Sequence, residues 1–210
     1  GRDPWSCRTS VSGGQAGSLA WAAINVRAAS AADRAWLSGP NTRAATQAPS
    51  KSRRSCAASP SGSRGRGSIQ ALEAAGEANL AGKVLLDISD PLDFSQGMPP
   101  SLLVSNTDSL GEQIQRRFPE ARVVKALNTM NAYLQVDPRQ LVGGDHSAFV
   151  SGNDAEAKST VLAVLRSFGW SDVIDLGDIS TARGTEMYLP LWLRLYAVLP
   201  SPMFSIKVVR

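Results

Sequence analysis

Residues 121–138 read ARVVKALNTMNAYLQVDP, and the fold turns on how this stretch is read. Arg122, Val123, Val124, Lys125, Ala126 and Leu127 form a short run of strand character. Asn128, Thr129 and Asn131 follow where such a strand ends. In open parallel sheets, ligands sit outside the carboxyl ends of the strands. A loop with two amides and a hydroxyl there can hydrogen-bond a planar, amide-bearing ligand without placing a charge beside it. The same residue types are also ordinary turn formers.

Working outward, residues 84–88 (VLLDI) make a second apolar strand without polar alternation, the pattern of a strand covered on both faces. It ends at Ser89, Asp90 and Pro91, and a Gly- and Pro-rich loop follows through Pro100. Upstream, Ile69, Leu72, Ala75 and Leu80 share one helical face, and Gly82 supplies a stop. Between the two strands, Asp108 or Ser109 can cap a helix. Glu112 stands three residues after Ser109, as in a capping box, and Leu110, Ile114 and Phe118 face the sheet. A third strand is read at residues 148–150. Asn153 with Glu156 then signals a helix whose stripe is Ala157, Val161, Val164, Leu165 and Phe168, with Gly169 as its C-terminal cap. Val173, Ile174 and Leu176 give a fourth strand. Alternating strands and helices predict an α/β fold with a parallel sheet. The chain closes on a helix over residues 185–199, rich in large apolar residues, which serves as core or as a dimer face.

Charge divides the chain in two. Residues 1–67 carry ten Lys or Arg and two acids, whereas residues 68–210 carry twelve and sixteen. The first part has no Glu, Phe, Tyr or Met and no sustained apolar period. Such a composition buries too little apolar surface to offset the entropy of ordering, so a disordered basic segment is expected. Lys51, Arg53, Arg54, Arg64 and Arg66 cluster there, but no aromatic residues are interleaved to stack on bases, which speaks against nucleic acid as a partner. Its glycines match no phosphate-binding loop. Cys7 and Cys56 form neither a CxxC nor a Cys/His metal pattern, so free thiols, a reducing compartment and a cytoplasmic location are expected. No apolar stretch is long enough to span a bilayer, and no signal peptide is visible.

Single charged residues carry less. His146, the one histidine, reads as a structural hydrogen-bonding group. Asp175, Asp178, Arg183 and Glu186 read as a salt-bridged helix start. Asp87 and Asp90 lack a partner that would divide acid and base roles between them.

Three stretches together carry a resemblance: GKVLLDISDPLDFSQGMPPSLLVSNTDSLGEQIQRRFPEARVVKALNTMNAY, DHSAFVSGNDAEAK and DLGDISTARGTEMYLPLWLRL. Over about residues 68–210 the chain resembles the bacterial NADP oxidoreductases related to the deazaflavin (coenzyme F-420) dependent NADP reductase. The resemblance implies an incomplete Rossmann-type, doubly wound domain at 68–210, with NADP across the strand ends. It implies hydride transfer between nicotinamide and a deazaflavin, with no catalytic nucleophile and no metal. Ser89, Asp90 and Pro91 would take the place of a loop near the cofactor, and Asn128 and Thr129 that of the loop beside the nicotinamide. The family tripeptide at the first place is closer to Ala-Asn-Pro, so Asp90 replaces an amide. The family also begins with a strand and a glycine fingerprint for the pyrophosphate, which residues 1–67 do not contain. Shifting the codons for residues 47–54 back by one base can encode Gly-Thr-Phe-Glu-Val-Ala-Ala, which suits the family there. The first part is therefore read as a frame-shifted or truncated version of the family's own start. The alternative is a non-catalytic remnant of a dinucleotide-binding domain.

Overall fold

The computed structural model describes residues 64–210, with side chains from residue 67 onward, together with four short strands nearer the start. Of these, β1 (Cys7–Ser10) pairs antiparallel with β4 (Asn25–Ala28), and β2 (Gln15–Ala16) pairs antiparallel with β3 (Leu19–Ala20). The rest of the disorder expected over 1–67, the cysteine side chains and most of the basic cluster lie outside the described residues.

From residue 64 the order is α1 (Arg64–Ala75), α2 (Glu77–Leu80), β5 (Val84–Asp87), β6 (Leu92–Asp93), β7 (Ser101–Leu102), α3 (Leu110–Arg117), β8 (Arg122–Ala126), α4 (Ala132–Val136), β9 (Ser147–Gly152), α5 (Ala155–Phe168), β10 (Asp172–Asp175), α6 (Ala182–Met187) and α7 (Leu189–Val198). The four-stranded sheet runs β10-β9-β8-β5. Successive residues of a strand point to opposite faces, and both faces here are apolar. Val84, Leu86, Val124 and Ala126 pack with Ala157, Val161 and Leu165 of α5, while Leu85 and Val123 pack with Leu110, Ile114 and Phe118 on the other face. Burial on both sides explains why residues 84–87 show no polar alternation until Asp87. The α/β, Rossmann-type arrangement expected from the sequence is what the structure has.

One junction departs from a purely parallel sheet. β5 and β8 are parallel, as are β9 and β10, but β8 and β9 are antiparallel. A parallel connection needs a crossover long enough to return the chain to the other end of the sheet. Between β8 and β9 there is only the five-residue α4 and two 3-10 turns at Pro138–Gln140 and Val142–Gly144. The chain therefore re-enters beside the end it left. The carboxyl ends of β5 and β8 thus form one edge, opposite to those of β9 and β10.

Local signals met specific outcomes. Ser109 caps α3: its hydroxyl accepts from the Glu112 amide at 3.1 Å and donates to the Glu112 carboxylate at 2.8 Å. The cap of α5 is Asp154 rather than Asn153, accepting from Ala157 N–H at 2.7 Å, because Asn153 is engaged by the Ile179 N–H. The helix read across Ile69 to Leu80 breaks at Gly76, where φ is 90°, a value glycine adopts without strain. The C-terminal helix divides at Tyr188 because Pro190 has no N–H to offer the Glu186 carbonyl. Most of α7 is not core: Leu191 is 55 % exposed, Tyr196 47 % and Val198 78 %. Trp192 lies between Tyr196 and Phe204, stacked at 5.4 and 5.0 Å. No helix among the described residues is long and apolar enough to cross a membrane.

The antiparallel junction explains one glycine. A Cβ on Gly152 would meet the Val123 carbonyl oxygen at 2.9 Å, so the two strands approach as closely as they do only without one. Gly152→Ala is expected to lower stability by about 1–3 kcal/mol. Gly184→Ala, where nothing lies within 4 Å of the new atom, is expected to leave stability unchanged or raise it. Urea denaturation of the two variants checks the contrast.

Candidate functional site

Parallel pairing of β5 with β8 sets Asp87 opposite Lys125. Both are the odd members of apolar strands, on the face shared by Leu85 and Val123, where α3 and α6 cover the sheet. Lys125 is 1 % exposed, so its ammonium must be matched from within the protein. Asp87 approaches it at 2.9 Å and Glu186 of α6 at 2.8 Å, each of these carboxylates also 1 % exposed, and the ammonium donates to the Ser89 carbonyl as well. Burial alone would lower the pKa of Lys125. The surrounding Asp87, Glu186 and Asp90 outweigh it and hold the group above its ordinary value. Glu186 in turn accepts from the Leu110 and Gly111 N–H groups at 2.8 and 3.0 Å, which satisfies the first turn of α3. Asp87 accepts from both the backbone N–H and the hydroxyl of Ser89, at 3.0 and 2.5 Å. The loop leaving β5 is thus held by side chains at the end of the sheet.

The loop leaving β8 is held differently. Leu127 has φ 60°, a left-handed conformation that bulky L residues rarely adopt. The Gln135 side-chain amide donates to its carbonyl at 2.9 Å. The turn brings Asn128 beside the β5 loop, where its amide donates to the Asp90 carboxyl at 2.9 Å. Asn128 is 7 % exposed and its side-chain carbonyl accepts from no described residue. Thr129 is 4 % exposed and its hydroxyl has no partner among the described residues. Asn131 is not available in the same way. Its carbonyl caps α4 through Tyr133 and Leu134, and its amide donates to the Pro202 carbonyl.

Ser89, Asp90, Asn128 and Thr129 are therefore gathered on one edge. Pro91 is buried next to them, its carbonyl accepting from Leu103 N–H at 2.8 Å where β6 and β7 form a small antiparallel ribbon. Lys125 and Glu186 were not assigned to this edge from sequence. The signal that marks Lys125 is a cation among the buried residues of an apolar strand, past Arg122 at its start. The charged group at 175–186 disperses: Asp175 pairs with Lys158, Arg183 with Glu112, Asp178 caps a 3-10 turn, and only Glu186 reaches the strand ends. His146 has the structural role expected of it, with Nε2 2.9 Å from the Pro138 carbonyl and its ring edge-on to Trp170 at 4.8 Å.

Asp90 is the electrostatically unusual member. As a residue it is partly exposed, yet desolvation is the largest influence on its carboxyl. Lys125 and the Asn128 hydrogen bond oppose that influence, while Glu186 and Asp87 add to it, and the pKa is pushed up to about 7 from 3.8. The folded protein keeps this proton where the unfolded chain has lost it. Its contribution to stability is full below 3.8 and is lost as pH rises through about 7. Asp90→Asn, neutral at every pH, should therefore gain in melting temperature relative to the parent by a few degrees between about pH 5 and about pH 8. Thermal melts at four pH values check this, and a constant difference between the two proteins would contradict it.

An unengaged carbonyl and hydroxyl thus sit beside a carboxyl that is able to be neutral, a set that can both accept from and donate to a planar amide. No protein-family profile matches the chain. Among curated proteins, it is 33 % identical over 118 residues to the rat metalloreductase STEAP3, covering 54 % of this chain and 22 % of that protein. It is 31 % identical over 118 residues to the F420-dependent NADP reductase of Methanocaldococcus jannaschii, covering 55 % of this chain and 52 % of that one. The chain thus spans about half or less of the curated relatives it matches. Among solved structures, a proposed F420-dependent NADP reductase from Arthrobacter sp. FB24 superposes with a TM-score of 0.69 and 65 % identity, covering 70 % of this chain and 66 % of that one.

Proposed function

Since the chain is related to the F420-dependent NADP reductases, we propose that its described domain is the nicotinamide-facing part of an oxidoreductase that passes hydride between NADP(H) and a deazaflavin coenzyme. The observation that carries this reading is the Asp90–Asn128 hydrogen bond. It joins the loops leaving β5 and β8 at the edge where Rossmann-type sheets take their ligands.

In this reading Asn128 and Thr129 receive the nicotinamide carboxamide, the Asn128 carbonyl accepting from its N–H and the Thr129 hydroxyl donating to its oxygen. Ser89 and Pro91 shape the opposing loop, with Ser89 fixed by Asp87. The nicotinamide supplies the hydride chemistry. The chain's residues orient the ring and exclude water, and no side-chain nucleophile enters. Small-molecule cofactors are then the partners, in the cytoplasm. The exposed face of α7, with Leu191 and Tyr196, is where a second copy would dock.

A second reading has its own support. Among the described residues β5 ends the sheet with no strand beyond it, and residues 1–67 contain no glycine fingerprint for the pyrophosphate. A frame-shifted segment of this kind would leave a remnant that does not hold NADP. Titration with NADPH, followed by its fluorescence, separates the two. Saturable binding at micromolar concentration supports the oxidoreductase, and its absence supports the remnant.

A further inference from the structure

Three carboxyl groups and one ammonium meet at the ends of β5 and β8. Asp87 and Glu186 both lie against Lys125, which is their one cation. Asp90 is the third acid, and the partner of its side chain is a neutral amide, that of Asn128. The charged groups that face it are Lys125 from β8, Glu186 from α6 and Asp87 from the end of β5. With all three acids ionised, the cluster holds two negative charges more than Lys125 can match. Lys125 and its two close partners are sealed, whereas Asp90 is partly exposed as a residue.

We propose that Asp90 is the proton-exchanging counter-charge of the nicotinamide, ionised beside the oxidised, positively charged ring and protonated beside the reduced, neutral one. The inference rests on the nicotinamide position proposed above and adds a property that position alone does not require. Hydride addition removes one positive charge from the ring. A proton taken up on the Asp90 carboxylate removes one negative charge from the protein, so the buried edge keeps a constant total. The proton is the one that a reduced deazaflavin gives up along with its hydride, and in the reverse direction Asp90 returns it. The elevated pKa of Asp90 places this exchange in the neutral range, where both forms are accessible. An ionised carboxylate at a partly desolvated edge attracts a pyridinium ring far more strongly than it would in water. A protonated one has no such preference and can donate a hydrogen bond instead.

The test is binding, with no turnover. Dissociation constants for NADP+ and for NADPH are measured by calorimetry at pH 6, 7 and 8 on the full chain and on Asp90→Asn. The ratio of the NADPH constant to the NADP+ constant cancels the titration of the phosphates, which both nucleotides share. In the parent protein this ratio is expected to rise by about tenfold or more from pH 6 to pH 8, by proton linkage. In Asp90→Asn it is expected to stay flat. Repeating the NADP+ titration near pH 7 in buffers of different ionisation enthalpy should show protons released by the parent and none by the variant. If both nucleotides bind the parent with a ratio independent of pH, or if Asp90→Asn keeps the parent's slope, the counter-charge is wrong while the binding site stands. If neither nucleotide binds at any pH, the proposed function falls and the counter-charge with it.

Discussion

Lys125→Met is expected to destabilise the fold by about 3–5 kcal/mol, read from urea denaturation. Methionine fills much of the same volume, so the loss comes from charge rather than packing. Asp87 and Glu186, both fully enclosed, lose their one cation, and the Ser89 carbonyl loses its donor. An uncompensated buried carboxylate must either ionise at high cost or take up a proton. The variant should accordingly recover part of its stability as pH falls. Adding Asp87→Asn and Glu186→Gln to Lys125→Met should restore much of the loss, because a neutral set no longer strands a charge. Glu186→Gln alone keeps an acceptor for one of the Leu110 and Gly111 amides and leaves Asp87 on Lys125, so it should cost less than Lys125→Met. If Lys125→Met were as stable as the parent, the cluster would not be holding the strand ends.

Asn128→Ala is expected to lower the second-order rate constant of hydride transfer by about a hundredfold, the usual effect of removing one positioned hydrogen-bonding group from a reacting centre. Thr129→Val sharpens the test. Its hydroxyl has no described partner, so replacing it with a methyl of the same shape should leave the melting temperature unchanged or slightly higher. Binding of NADPH should nevertheless weaken several-fold. A group that the fold can spare but the ligand cannot is a binding group. Loss of stability with unchanged binding would instead return Thr129 to an ordinary turn residue. Steady-state kinetics and calorimetry on both variants supply the readouts.

Much of the scaffold was legible because it rests on local rules. The Ser109–Glu112 cap, the buried Leu110, Ile114 and Phe118, and the left-handed Gly169 at the end of α5 each follow from a few neighbouring residues. The antiparallel entry of β9 was not legible from the strand pattern, since side-chain period carries no direction. The usable clue was the connection, which has no helix long enough for a crossover. The apolar stripe over residues 185–199 reads as one continuous helix, although Pro190 within it cannot continue the backbone ladder. The candidate site was legible only in part. Asn128 and Thr129 stand out as polar residues at a strand end. That Lys125 would gather Asp87 and Glu186, remote from each other in sequence, depends on which strands pair and which helix covers them. Asn131 looked equivalent to Asn128 in the sequence and proved to be committed to a helix cap.

If the carboxyl ends of β5 and β8 receive a nicotinamide, the loops that leave them must respond to the ligand first. Backbone amide chemical shifts of the isotopically labelled chain, followed during titration with NADP+, test this most directly. Saturable shifts of Ser89, Asp90, Asn128 and Thr129, with smaller ones along α3, are the expected result. Saturable shifts that instead gather on α7 or β10 and leave those four residues unmoved would contradict it.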